Sequence, residues 1–254
     1  MSRAVLVLHQ FRYDQRIFWR NPIAVGFTVM FPVIFLVSVG VIVNGQTIHA
    51  AGGIGATTYI VAAAICVAIV SATAINLAMS LTILREAGVL KRLRGTPLPS
   101  WVFVAGRIGN AIVIALLMLV LVTAVGRILF AVPVPWSRIW ALVISLVIGS
   151  ASFCSMGVAL TAIIPSREAA PAITNLIALP LYVLSFIPAS EIPKGVLHVA
   201  DALPVRPLFD ALLAGFDPTT SGAGFEPGDL AVVAAWGLAG LLLAMRHFRW
   251  EPRG

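Results

Sequence analysis

Charged side chains are scarce in this sequence. Of its 254 residues, 11% are Asp, Glu, Lys or Arg, while 60% are hydrophobic, and the mean hydropathy is +1.01. Soluble domains carry about a quarter charged residues, so the composition excludes an ordinary soluble globular protein. Long uncharged apolar runs predict a polytopic membrane protein instead. We attribute the net charge of +7 to basic residues on the cytoplasmic side of the membrane, and we expect no nucleic-acid binding.

Residues that form catalytic or metal sites are also scarce. Cys66 and Cys154 lie inside apolar runs without metal-ligand spacing, so we expect neither a disulfide framework nor a metal site. The two lysines, Lys91 and Lys194, follow Leu and Pro, so the sequence contains no G-x-x-x-x-G-K-[ST] phosphate loop, and it contains no H-E-x-x-H pair. We therefore expect no catalytic site and no bound cofactor in this chain.

Ionisable residues at membrane depth are missing as well, because the charged residues lie outside the apolar runs or at their ends. Ion-coupled transporters usually keep such residues inside the membrane. This argues against the main alternative, an ion-coupled secondary transporter or channel. A membrane enzyme or assembly factor is the third hypothesis, and it lacks a catalytic set.

What the sequence does contain is a series of apolar segments that predict an all-α fold with six transmembrane helices in a single domain, residues 1–254. The first segment has 21 uncharged residues, and a helix of that length rises about 31 Å, enough to cross the hydrocarbon core. The predicted spans are 23–43, 56–84, 108–126, 139–164, 169–190 and 230–245.

Two connections carry structure of their own. Residues 1–22 predict a basic amphipathic helix in the membrane interface, although a simple basic flank would also orient the first span. Its aromatic and basic members include Phe11, Arg12, Arg16, Trp19 and Arg20. Residues 191–229 contain apolar pieces too short to span, at 196–199 and 208–216, which predict a re-entrant or interfacial external segment.

The distribution of basic residues predicts the orientation. With six spans, both termini lie on one side, together with the segments 85–107 and 165–168. That side carries 13 Lys and Arg residues against 4 on the other. The positive-inside rule therefore places both termini in the cytoplasm.

The segment 85–99, REAGVLKRLRGTPLP, lies between the second and third spans and combines basic residues with an uncharged pattern. The pattern consists of Arg85, Glu86, Gly88, Leu90, Leu93, Thr96 and Pro97. It resembles the coupling segment of type-2 ABC exporter permeases, in which a span is followed by an acidic residue, a Gly, a short amphipathic helix and a Thr-Pro. An ordinary positive-inside loop is the simpler alternative.

Other segments resemble the same family. FRYDQRIFWRN at 11–21 resembles its interfacial connecting helix, and PLYVLSFIP at 180–188 resembles the end of its fifth span. The resemblance covers nearly the whole chain, and the order of the motifs makes it specific. One departure is Phe186-Ile187, where the family often has a Gly.

The resemblance implies a cytoplasmic coupling helix at 85–100 that docks on an ATPase, and a bacterial or archaeal cytoplasmic membrane. It implies two copies of a nucleotide-binding ATPase subunit, which would bind ATP and Mg²⁺, and a second permease, either identical or a paralogue. A central cavity between the second and fifth spans would take an apolar or amphipathic drug, lipid or lipid-linked glycan. Candidate cavity residues are Thr73, Asn76, Asn175, Tyr182 and Phe186; ordinary hydrogen bonds between helices are an equally good explanation for them.

Overall fold

The computed structural model describes residues 3–48, 53–89, 100–217 and 223–247. Within these ranges, four helices are long and apolar enough to cross a membrane, which confirms an all-α polytopic membrane protein. They are Ala56–Glu86, Ala105–Phe130, Trp136–Leu160 and Pro227–Arg246. Two further apolar helices, Thr28–Val43 and Ala170–Phe186, are shorter, so the count of six spans stays a prediction.

The helices follow one another with short connections. They are α1 (Arg3–Trp19), α2 (Pro22–Val43), α3 (Ala56–Val70), a π-helix (Ser71–Ile75), α4 (Asn76–Glu86), α5 (Ser100–Phe130), α6 (Ile139–Leu160), α7 (Ala170–Phe186), α8 (Lys194–Ala202), α9 (Val205–Phe216) and α10 (Pro227–His247). Two 3₁₀ turns, Trp136–Arg138 and Ala189–Glu191, precede α6 and α8. A two-residue antiparallel hairpin joins β1 (Thr47–Ile48) to β2 (Ile54–Gly55).

Two helices are longer than the sequence predicted. α5 extends beyond 108–126 at both ends, and α10 extends beyond 230–245. The prediction stopped at Arg107 and Arg127, because a charge ends an apolar run. A helix nevertheless continues past a charge whose side chain finds a partner or reaches the membrane surface.

Two helices are shorter than predicted. α6 ends at Leu160 rather than 164, and α7 ends at Phe186 rather than 190. Ile187 is extended, with φ −77° and ψ 131°. Pro188 follows it, and a residue that precedes proline is disfavoured in the helical region.

The hydrophobic core is built around α3. Every residue from Val61 to Val70 is buried, and the small residues Ala62, Ala63 and Ala64 let neighbouring helices approach closely. α9 packs into the same core: Leu208 and Phe209 are fully buried. The 191–229 connection was predicted to be a re-entrant or interfacial external segment. Within it the structure contains α8 and α9, and the apolar face of α9 lies in the core; the position of this segment relative to the membrane stays a prediction.

Glycines mark the closest contacts between helices. A Cβ atom on Gly237 would lie 2.5 Å from the Ser152 hydroxyl oxygen, where α10 packs on α6. A Cβ on Gly157 would lie 2.7 Å from the Ala74 carbonyl oxygen in the π-helix. Since Cβ atoms do not approach backbone this closely, α6 can sit against the π-helix only with glycine at 157.

We expect Gly157→Ala to push α6 away from the π-helix and to destabilise the protein by about 1–3 kcal/mol, as overpacking usually does. The matched control is Gly26→Ala in α2, where a Cβ would meet nothing within 4 Å; there, helix propensity predicts a gain of roughly 0.5–1 kcal/mol. The apparent melting temperature in detergent checks both variants. If Gly157→Ala and Gly26→Ala melted at the same temperature, the close contact of α6 with the π-helix would be contradicted.

Candidate functional site

Charged residues gather at one end of the bundle, which we call the Arg85 end: α1, the C-terminal half of α4, the start of α5 and the 161–165 turn between α6 and α7. Arg85 belongs to the segment 85–100, for which the resemblance implies docking on an ATPase. In the structure its side chain is only 2% exposed. The Arg85 guanidinium is therefore an internal group of this chain.

Arg85 binds the turn that follows α6. Its Nη1 donates to the Thr161 carbonyl at 2.8 Å, and its Nη2 donates to the Ile164 carbonyl at 2.8 Å and to the Pro165 carbonyl at 3.4 Å. Glu86 accepts from Nε and Nη2 at 3.3 and 3.2 Å. Carbonyls at the end of a helix have no partner within it, and the planar guanidinium supplies several donors in a fixed geometry.

The remaining predicted coupling residues fall into two groups. Glu86 is 21% exposed beside Arg85, and Gly88 has a positive φ of 66°, a conformation that favours glycine. Leu90, Leu93, Thr96 and Pro97 lie outside the described residues. The structure thus places the first three residues of the pattern at the end of α4.

α1 is fixed to the bundle by a polar face. Asp14 is 5% exposed and lies 3.8 Å from the Arg107 Nη2 of α5, and it accepts a hydrogen bond from Gln10 at 3.2 Å. Arg107 also donates to the Ser80 hydroxyl of α4 at 2.8 Å. Burial raises the pKa of Asp14, while Arg107 and the hydrogen bond from Gln10 act to lower it.

The opposite face of α1 points away from the protein. Arg12, Arg16 and Arg20 are exposed, and Trp19 is 52% exposed, as an interfacial helix requires. Phe11 instead packs towards α5, where its ring lies 3.4 Å from a Cβ built on Gly109. Phe18 is also buried, so both aromatics lie on the inner side of α1.

Replacing Asp14 with Ala should destabilise the protein by on the order of 3 kcal/mol, because it leaves the Arg107 charge without its carboxylate. Arg16→Ala, on the exposed face of α1, is the control and should stay within about 0.5 kcal/mol of the parent. Thermal unfolding in detergent measures both. If the two variants melted together, the ion pair would not be what fixes α1.

The five candidate cavity residues have different surroundings in the structure. Thr73 is fully buried and donates to the Ile69 carbonyl at 2.6 Å within its own helix. Asn76 is half-buried and Asn175 is exposed. Tyr182 and Phe186 do meet: their rings stack with centroids 5.8 Å apart, and the Tyr182 hydroxyl lies 3.5 Å from Ser71 in the π-helix.

Phe186 is the centre of an aromatic cluster that the sequence did not reveal. Its ring lies 5.2 Å from that of Phe209 and 6.4 Å from that of Phe35, and Phe209 is 4.9 Å from Tyr59. The Tyr59 hydroxyl donates to the Phe186 carbonyl at 3.3 Å. These side chains come from α2, α3, α7 and α9, and no local pattern in the sequence links them.

A cavity of about 280 Å³ lies at the opposite end of the bundle, which we call the Arg206 end because Arg206 lines it. Its carboxylates are Asp210, Asp217, Glu226 and Asp229. Arg206 is 4% exposed, lies 3.3 Å from Asp210 and 3.5 Å from Asp201, and donates to the Ile187 carbonyl at 2.8 Å. The i, i+4 spacing of Arg206 and Asp210 was the sequence signal that could have found this pair.

Asp210 has a strongly shifted pKa. Burial, opposed by Arg206 and assisted by Asp229 and Asp201, raises its pKa from 3.8 to about 7. Between these two values the folded protein holds a proton that the unfolded chain has released. The contribution of Asp210 to stability is therefore complete below about pH 4 and is lost as the pH rises through about 7.

We expect the apparent melting temperature of the parent, relative to that of Asp210→Asn, to fall as the pH rises from 5 to 8. The Asn side chain does not titrate, so the difference between the two curves isolates Asp210 from the neighbouring carboxylates. Melting curves in detergent at several pH values provide the measurement. Parallel pH profiles would show that Asp210 titrates normally in the fold.

Comparison with known families identifies the class of protein. The family described as ABC-2 type transporter matches residues 7–216, from α1 to the end of α9, including both arginine sites. No curated protein matches the chain.

The chain therefore belongs to the ABC-2 type transporter family. It is a membrane component of an ABC transporter, a class that works with an associated ATP-binding subunit.

Proposed function

We propose that this chain is the permease subunit of an ATP-driven exporter, which moves a hydrophobic or amphipathic substrate out across the cytoplasmic membrane. The observation that carries the proposal is the family match over residues 7–216, because it includes the 85–100 segment. The direction of transport rests on the resemblance of that segment to exporter permeases.

The proposed docking site for the ATPase is the segment 85–100, with Leu90 and Leu93 as apolar anchors. Lys91, Arg92 and Arg94 would face an acidic surface on the partner. Arg85 and Glu86 hold the start of this segment to the 161–165 turn, which gives the docking surface a rigid base. Two ATPase copies would bind ATP and Mg²⁺, and two permease chains, identical or paralogous, would form the pathway.

The proposed pathway passes along the second and fifth spans. The candidate residues of this pathway carry no charge, which suits an apolar or amphipathic cargo such as a drug, a lipid or a lipid-linked glycan. Asn175 is an exposed amide on the apolar helix α7, and polar groups at membrane depth normally face protein or a cavity rather than lipid. That exposure supports a pathway or a second permease against this face of α7.

The docking site is tested with Leu93→Asp, co-expressed with a phosphate-loop ATPase subunit that co-purifies with the parent. An Asp at an interface anchor should reduce the amount of co-purified ATPase roughly 10-fold and abolish ATP-dependent efflux from vesicles. The matched control is Val199→Asp in α8 at the Arg206 end, where the parent side chain is 57% exposed; it should retain ATPase binding.

Normal ATPase recovery with Leu93→Asp would contradict the docking site. Efflux that requires an ion gradient but no ATP would contradict the exporter itself and favour a secondary transporter.

A further inference from the structure

Arg85 has a place in the fold that docking does not explain. Among the residues whose burial is described, it is one of the largest fully buried side chains. Burying a guanidinium is unfavourable by several kcal/mol unless it is fully bonded. A buried group cannot meet an ATPase surface directly, and an apolar residue would fill the same space without that penalty. The charge must therefore serve contacts within the chain.

Three of these contacts join the end of α4 to one turn. The three carbonyls that Arg85 binds belong to Thr161, Ile164 and Pro165. An apolar contact reinforces the connection: Ala78 of α4, Ile164 of the turn and Ala170 of α7 form a small cluster of residues that are at most 1% exposed. Arg85 therefore belongs to a unit that includes the start of α7.

Arg85 is also the first residue of the proposed docking segment. The next residue of the segment, Glu86, pairs with the guanidinium: its Oε1 lies 3.2 Å from the Arg85 Nη2. Gly88, with its positive φ, then turns the chain away from α4. A guanidinium that donates hydrogen bonds in several fixed directions fixes the relative position of α4 and the turn better than a single hydrogen bond would. A displacement of residues 86–88 would therefore act on the 161–165 turn, and through it on α7, which carries Tyr182 and Phe186.

We propose that Arg85 is a positioning residue that couples the docking segment to α7 through the 161–165 turn, so that ATPase movements reach the fifth span. This inference rests on the proposed function. It assigns to Arg85 a role in transmission and not in docking.

The test is Arg85→Lys in the full complex with its ATPase. Lys keeps the charge but cannot reach three carbonyls with a planar fork. We expect normal co-purification of the ATPase and continued ATP hydrolysis, with the amount of substrate moved per ATP reduced roughly 10-fold. The control is Arg167→Lys, in the same connection, whose pair with Glu168 is about two-thirds exposed and contributes little; it should transport like the parent.

An unchanged ratio of transport to hydrolysis in Arg85→Lys would overturn the inference, and so would loss of ATPase co-purification, which would make Arg85 a docking residue. If the parent bound no ATPase at all, the proposed function would fail instead.

A second measurement leaves Arg85 in place, so it does not depend on whether Arg85→Lys folds. Spin labels at Ala87→Cys and Arg167→Cys, both at exposed positions, report the distance across the link while Arg85 is intact; the native cysteines are buried. We expect the same distance in the nucleotide-free and ATP-trapped complexes. A change of more than about 5 Å, close to one helical turn, would require the link to break and would overturn the inference.

Discussion

A helix that ends in a low-dielectric environment leaves carbonyl groups that need donors, and this constraint governs where the helices of this chain stop. Arginine supplies the donors at three of these ends. Arg85 binds the turn after α6, and Arg206 binds the Ile187 carbonyl after α7. Arg138 binds the carbonyls of Ala214 and Asp217 at the end of α9. In each case the arginine belongs to a different helix or connection from the end that it caps, so each cap is also a tertiary link.

These caps explain how a chain with so few charges uses them. Basic residues on the cytoplasmic side of a membrane protein need only be near the surface to set its orientation. Arg85 and Arg107 do more, because each is held by named partners: backbone carbonyls for Arg85, and Asp14 and Ser80 for Arg107. At the Arg85 end of the bundle, α4 is thus joined to α1, α5 and the 161–165 turn by directional bonds as well as by apolar packing.

The apolar runs were sufficient to predict the fold class and the approximate position of each long helix, because hydrophobicity over about 20 residues is a direct requirement of the membrane. They could not predict the ends of α5, where Arg107 is satisfied by groups far away in the sequence. They also could not place α9 in the core, because its burial depends on contacts with α3. For the site, the sequence identified the pattern at 85–88 but not the inward direction of Arg85, which is set by carbonyls 76–80 residues later.

The π-helix has a consequence for the register of the whole second apolar helix. A π-turn accommodates one more residue than the same length of α-helix, and one residue corresponds to about 100° of rotation and 1.5 Å of rise. α3, which is buried from Val61 to Val70, and α4, which faces α6 and α7, are therefore set at a rotational offset that a continuous α-helix would not have. If one residue were deleted between Ser71 and Ile75, α4 would turn by about that angle. The guanidinium of Arg85 would then point away from Thr161 and Ile164. The single extra residue in the middle of the helix thus determines which way its far end points.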